Sequence, residues 1–180
     1  PTSSRRQRQM CIRDSYTTKL KHYNMEILIF AETDDKGNLK KDAYEIASYA
    51  SEISSENGGN VNALCFNASN AESLSDYGVD KIINSKNEEL KNFDPSNYSK
   101  CITEVFNNEE CNLLVLSSSS NSKHIGGILS VLTDSSYVTN VISKLTNGEK
   151  MTVVRNTFTN KAFETVETVS YTHLTLPTRR

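Results

Sequence analysis

Two short stretches carry the side chains most suited to chemistry. One is Glu32-Thr33-Asp34-Asp35 and the other is the serine-rich run Ser117 to Ser122. Hydroxyls and backbone amides just ahead of a helix can hold an anion such as a phosphate, because the first turn of a helix leaves N–H groups unpaired and carries the positive end of its dipole. That makes Ser117 to Ser122 the sharpest binding candidate. The first stretch lacks any glycine-rich phosphate cradle, and its three acids repel phosphate. A nucleotide-binding module of universal-stress-like architecture is therefore the alternative reading. Gly126-Gly127 are its only glycines nearby, and they lie too far into the following helix to cradle a phosphate.

His124, beside Ser122 and Lys123, invites a hydrolase reading. Nucleophile, base and orienting acid cannot all be named around it, so it reads as a solvated histidine. Glu109-Glu110 read as a solvated turn, and Tyr44 and Tyr49 as helix packing residues. No acid/base pair qualifies as an active site, and no residue is assigned as catalytic, cofactor-binding or metal-binding. Cys11, Cys65, Cys101 and Cys111 show neither CxxC spacing nor a nearby pair of histidines, which argues against zinc or an iron–sulfur cluster. Cys65 in an apolar run and Cys101 on a helix face read as buried free thiols of a reducing compartment such as the cytoplasm.

The elements that must position these loops alternate. Met25 to Ala31 is a continuous apolar run, as in a parallel strand covered on both faces. A turn at Asp34 to Gly37 leads to a helix with Ala43, Ile46, Ala47, Ala50 and Ile53 three and four apart, ended by Gly58-Gly59 in a left-handed cap. Strands are expected at Val61–Phe66, Lys81–Asn84 and Asn112–Leu116, with a short helix from Ala71 to Tyr77 stopping at Gly78. Asp94 caps a helix with Pro95 in its first turn. The serine loop feeds a helix over Lys123 to Leu132. Tyr137–Ile142, Met151–Phe158 and Ala162–Val169 then read as late strands, some antiparallel. Crossovers of this length imply an α/β fold: a three-layer α/β/α, Rossmann-like, mainly parallel sheet of the adenine-nucleotide alpha-hydrolase kind. Ligands in such sheets sit where strand order reverses, and both candidate loops follow strands.

The chain has 180 residues, room for one well-buried domain. Its net charge of −2 conceals an asymmetry: residues 25–170 hold 12 basic and 21 acidic side chains, a net −9. A surface of that sign repels nucleic acid and anionic lipid and suits a basic protein patch. No stretch is long and apolar enough to span a bilayer, and no secretory signal is visible. Met25 reads as the initiator. The head PTSSRRQRQMCIRDS and the tail SYTHLTLPTRR resemble translated sequencing-adaptor DNA, so residues 1–24 and 171–180 are set apart as non-native, the domain is placed at 25–170, and the chain is expected to be a fragment.

Four segments in order carry a resemblance: MEILIFAETDDKGNLKKDAYEIASYA, YGVDKIINSKNEELKNFD, LLVLSSSSNSKHIGGILSVLTDSSYVTNV and VVRNTFTNKAFETVE. Together they resemble the amino-terminal domain of the electron transfer flavoprotein alpha subunit. The family's usual Gly-Arg-Asp is Ser122-Lys123-His124 here, and its Ala-Pro is Gly126-Gly127. The resemblance implies a heterodimer with a beta subunit that carries FAD and moves electrons from dehydrogenases, such as acyl-CoA dehydrogenases, to a membrane quinone reductase. It also implies that FAD is bound mainly by a carboxyl-terminal domain absent from this sequence. The chain itself is then a non-catalytic scaffold and heterodimerisation domain that retains no FAD.

Overall fold

The computed structural model describes residues 24–147, 151–168 and 172–176, the last of these as backbone alone. The arginine-rich head, with Cys11, lies outside the described residues.

Strand β1 (Ile27–Ala31) is buried along its whole length, because it pairs in parallel with β2 (Val61–Phe66) on one side and β4 (Leu113–Ser117) on the other. Between β1 and β2 runs α1 (Lys41–Asn57), whose buried stripe is Ala43, Ile46, Ala47, Ala50 and Ile53, the spacing read from the sequence. Gly58 (φ +74°, ψ 166°) and Gly59 (φ +107°) end it in positive-φ conformations, although neither is in the left-handed helical region expected for Gly58. Only glycine fits at Gly59, since a Cβ there would overlap the Met25 backbone. A 3₁₀ segment at Ala71–Tyr77, ended by Gly78 in the left-handed region, precedes β3 (Lys81–Ser85). Asp94 caps α2 (Pro95–Asn108) by accepting from Ser96 N at 3.1 Å. After β4 comes α3 (Ser120–Leu132), then β5 (Ser136–Val138), β6 (Thr146–Asn147), β7 (Met151–Thr157), β8 (Ala162–Thr168) and β9 (Thr172–Leu176).

The main sheet has six parallel strands in the order β3-β2-β1-β4-β9-β5. One face packs Leu28, Phe30, Leu64, Phe66, Leu114 and Leu116 against Ile102 and Phe106 of α2 and Ile125 and Leu129 of α3. The opposite face packs Ile27, Ile29, Ala63 and Val115 against α1 and against Val153 of β7. The three-layer α/β architecture expected from the alternation is therefore present.

The late region departs from expectation in two places. The strand anticipated from Tyr137 to Ile142 stops at Val138, because Asn140 sits at φ +56°, and it joins the main sheet in parallel. The antiparallel strands form a sheet of their own, β6-β7-β8. Beyond the limit expected at residue 170, Thr172–Leu176 forms a strand of the main sheet, seated between β4 and β5. Without it, one edge of β4 would leave a row of buried backbone groups without ladder partners, which is costly.

Candidate functional site

In the main sheet, the chain leaves β1 for β2 on one side, and β4 lies on the other, so strand order reverses between β1 and β4. The crevice beyond their carboxyl ends is where parallel sheets bind ligands. Glu32 follows β1 directly, and Ser117 ends β4. The structure brings the two candidate loops together here, through a contact no sequence spacing announces.

The first loop is folded tightly. Asp34 Oδ1 accepts from Lys36 N (2.9 Å) and Asn38 N (2.8 Å), and Thr33 and Leu39 form an antiparallel bridge. Gly37 turns at φ +81° and accepts from Ser69 N at 2.7 Å; a Cβ there would come within 2.9 Å of Asn67 O. Thr33 Oγ1 donates to Phe66 O at 3.0 Å, tying the loop to the end of β2. This turn returns the chain so that Lys40 N donates to Glu32 O (3.0 Å) and Lys40 Nζ to Glu32 Oε2 (2.7 Å).

The second loop starts α3. Ser119 is its N-cap, Oγ accepting from Ser122 N at 3.0 Å. The same hydroxyl donates to Glu32 Oε1. Ser122 Oγ donates to that oxygen at 2.7 Å and Ser117 Oγ at 3.2 Å. Each serine has a single hydroxyl proton: Ser119 and Ser122 spend theirs on this carboxylate, and Ser117 Oγ lies equally 3.2 Å from Glu32 Oε1 and from Ser122 Oγ. Glu32 is only 5% exposed. Burial is the largest single influence on its carboxyl and pushes the pKa up; the hydrogen bonds from Lys40, Ser119 and Ser122, with the charge of Lys40, outweigh it and hold the pKa below the usual glutamate value. Glu32 is thus a fixed anion at the amino-terminal end of α3, in the place where an external anion would be favoured.

What remains open is a cleft of about 30 Å³ lined by Phe30, Glu32, Thr33, Phe66, Tyr98 and Asn121. That space suits water; small-molecule pockets run to roughly 300–1,000 Å³. The residues at this switch point do not fit a flavin or a nucleotide. The aromatic side chains are engaged with one another, Phe66 and Tyr98 edge to face at 4.8 Å, and Tyr98 donates to Leu90 O at 2.8 Å.

The remaining candidates stay apart. His124 is exposed on α3, whereas Ser122 Oγ points inward to Glu32, so the two do not meet. Glu109 pairs with Lys81 at 2.5 Å, and Glu110 turns the chain at φ +49°. Tyr44 shares a hydrogen bond with Ser73 (3.0 Å), and Tyr49 donates to Ser143 O (3.0 Å), which ties α1 to its neighbours. Cys65 and Cys111 are buried and Cys101 half-buried. Among the described residues there is no group of three metal-ligating side chains, and no helix long and apolar enough to cross a membrane.

Fold and site together define a three-layer α/β domain with a parallel sheet whose ligand crevice is filled by its own carboxylate. The family model for the electron transfer flavoprotein domain matches residues 27–175, and the chain belongs to that family. The match runs through most of β9. No curated protein matches the chain.

Proposed function

We propose that the chain is the amino-terminal scaffold domain of an electron transfer flavoprotein alpha subunit, a carrier component with no catalysis of its own. The observation that carries this reading is the Glu32 plug. A domain of this family whose switch point is closed from within contributes rigidity and surface to a flavoprotein without gripping the cofactor. In this reading FAD is held by a carboxyl-terminal domain and a beta subunit outside this sequence, and once bound it supplies the electron transfer between dehydrogenases and a quinone reductase. The chain's own part is to pack against the beta subunit, and the acidic domain suits a basic partner surface.

A free-standing nucleotide-binding module would need the serine hydroxyls that Glu32 already holds. Purification and titration separate the two readings. The chain should purify colourless, show no heat on titration with AMP, and be retained by an immobilised electron transfer flavoprotein beta subunit. A yellow chain with one FAD per molecule, or saturable AMP binding, would overturn the proposal.

A further inference from the structure

Helix α3 is apolar on two sides. Ile125, Gly126 and Leu129 are buried toward the sheet and α2, while Gly127, Ile128, Val131 and Leu132 face outward, Val131 being 80% exposed. The second half of the outer face, after Lys123 and His124, is thus an apolar stripe open to a partner.

The outer face is complementary to itself in shape and in charge. Val131 projects as a knob. One turn earlier, Gly127 leaves bare backbone, with nothing within 4 Å of where a Cβ would stand. Exposed Lys123 and His124 lie at the start of this stripe, exposed Asp134 lies just past its end, and the helix contains no acid. At 3.6 residues per turn, positions 123, 124, 127, 128 and 131 fall on one side. A second copy laid antiparallel, with the two-fold axis level with Leu129, sets Val131 of each helix over Gly127 of the other. The same antiparallel arrangement brings the end of each helix, where Asp134 follows the cap, toward the Lys123–His124 start of the other. A self-complementary patch is what a two-fold interface requires.

We propose that two copies of this chain associate through an antiparallel α3–α3 contact, with Val131 seated on Gly127 and Asp134 paired to the Lys123–His124 end. This goes beyond the scaffold reading and stands apart from its test, which concerns flavin, AMP and the beta subunit.

The experiment is sedimentation equilibrium of the full chain from low to several hundred micromolar. The mass should rise from 20.1 kDa toward twice that value. Gly127→Leu, which fills the hole while favouring the helix, and Val131→Asp should each hold the chain at the monomer mass with an unchanged circular dichroism spectrum. Asp134→Lys should weaken association at least tenfold, and Lys123→Asp combined with Asp134→Lys should restore it. A monomer at every concentration overturns the proposal. So does a dimer indifferent to Gly127→Leu, which would place the contact elsewhere. So does a chain that stays monomeric but loses the beta subunit on Gly127→Leu, since the face would then belong to that partner.

Discussion

Glu32 and Ser122 lie 90 positions apart, yet a 2.7 Å hydrogen bond between their side chains joins the end of β1 to the first turn of α3. The bond crosses the crevice where strand order reverses, so the residue that would shape a ligand site instead fills it.

Removing the carboxylate should loosen this junction. Glu32→Ala leaves the Ser117, Ser119 and Ser122 hydroxyls without their common acceptor, and the expected cost is about 2–4 kcal/mol. Glu32→Gln keeps an acceptor oxygen but not the charge, for about 1–2 kcal/mol. Lys40 is 37% exposed and can return to water, which holds the loss below that of a fully buried ion pair. Urea midpoints at pH 7 give both values, and a midpoint for Glu32→Ala equal to wild type would contradict the plug.

Acid should erase the same difference. The Glu32 carboxyl is held below the ordinary 4.5, so its contribution is fully present above that pH and disappears as the pH falls through the lower folded value. The stability gap between wild type and Glu32→Gln, measured by urea titration, should be constant from pH 7 to 5 and then narrow. A gap that widens on acidification would reverse the assigned sign.

The adjacent glycines of α3 should respond oppositely to alanine. A Cβ on Gly126 would overlap the Tyr137 ring, whereas one on Gly127 would meet nothing within 4 Å. Gly127→Ala should stabilise the monomer by about 0.5–1 kcal/mol through helix propensity, and Gly126→Ala should destabilise it by about 1–3 kcal/mol through overpacking. Thermal melts at low micromolar concentration decide this; equal shifts would mean that Tyr137 moves aside freely.

Thiol labelling should rank the described cysteines. Burial pushes Cys65 and Cys111 up to about 11, and both are enclosed; burial also raises Cys101, but its thiol is only half-buried and open to reagent. Peptide mapping after brief iodoacetamide treatment at pH 8 should find Cys101 modified first. Prior modification of Cys65 would show that β2 opens readily.

Much of the fold could be read from apolar rhythm. The stripe of α1 and the run of β2 coincide with their sequence patterns, because a fully buried parallel strand and a one-faced helix leave local signatures. The site was only half legible. The rule that open parallel sheets bind ligands beyond their strand ends points to the two loops, but the acids of the first read as repelling phosphate, and nothing local reveals that one of them reaches across to the serines. Lys40 was missed for the same reason, since its role depends on the turn that returns it to Glu32. Strand β9 is not legible because THLTL lies in a tail set apart for its resemblance to translated adaptor DNA, while its place is fixed by β4 and β5.

Strand β9 touches β4 on one side and β5 on the other, and among the described residues β5 pairs with no other strand of the main sheet. The sheet is therefore completed from within by the last of its strands to leave the ribosome. Until residues 172–176 have emerged, β5 has no place in the ladder, so one flank of the sheet stays open after β5, β6, β7 and β8 have all been made.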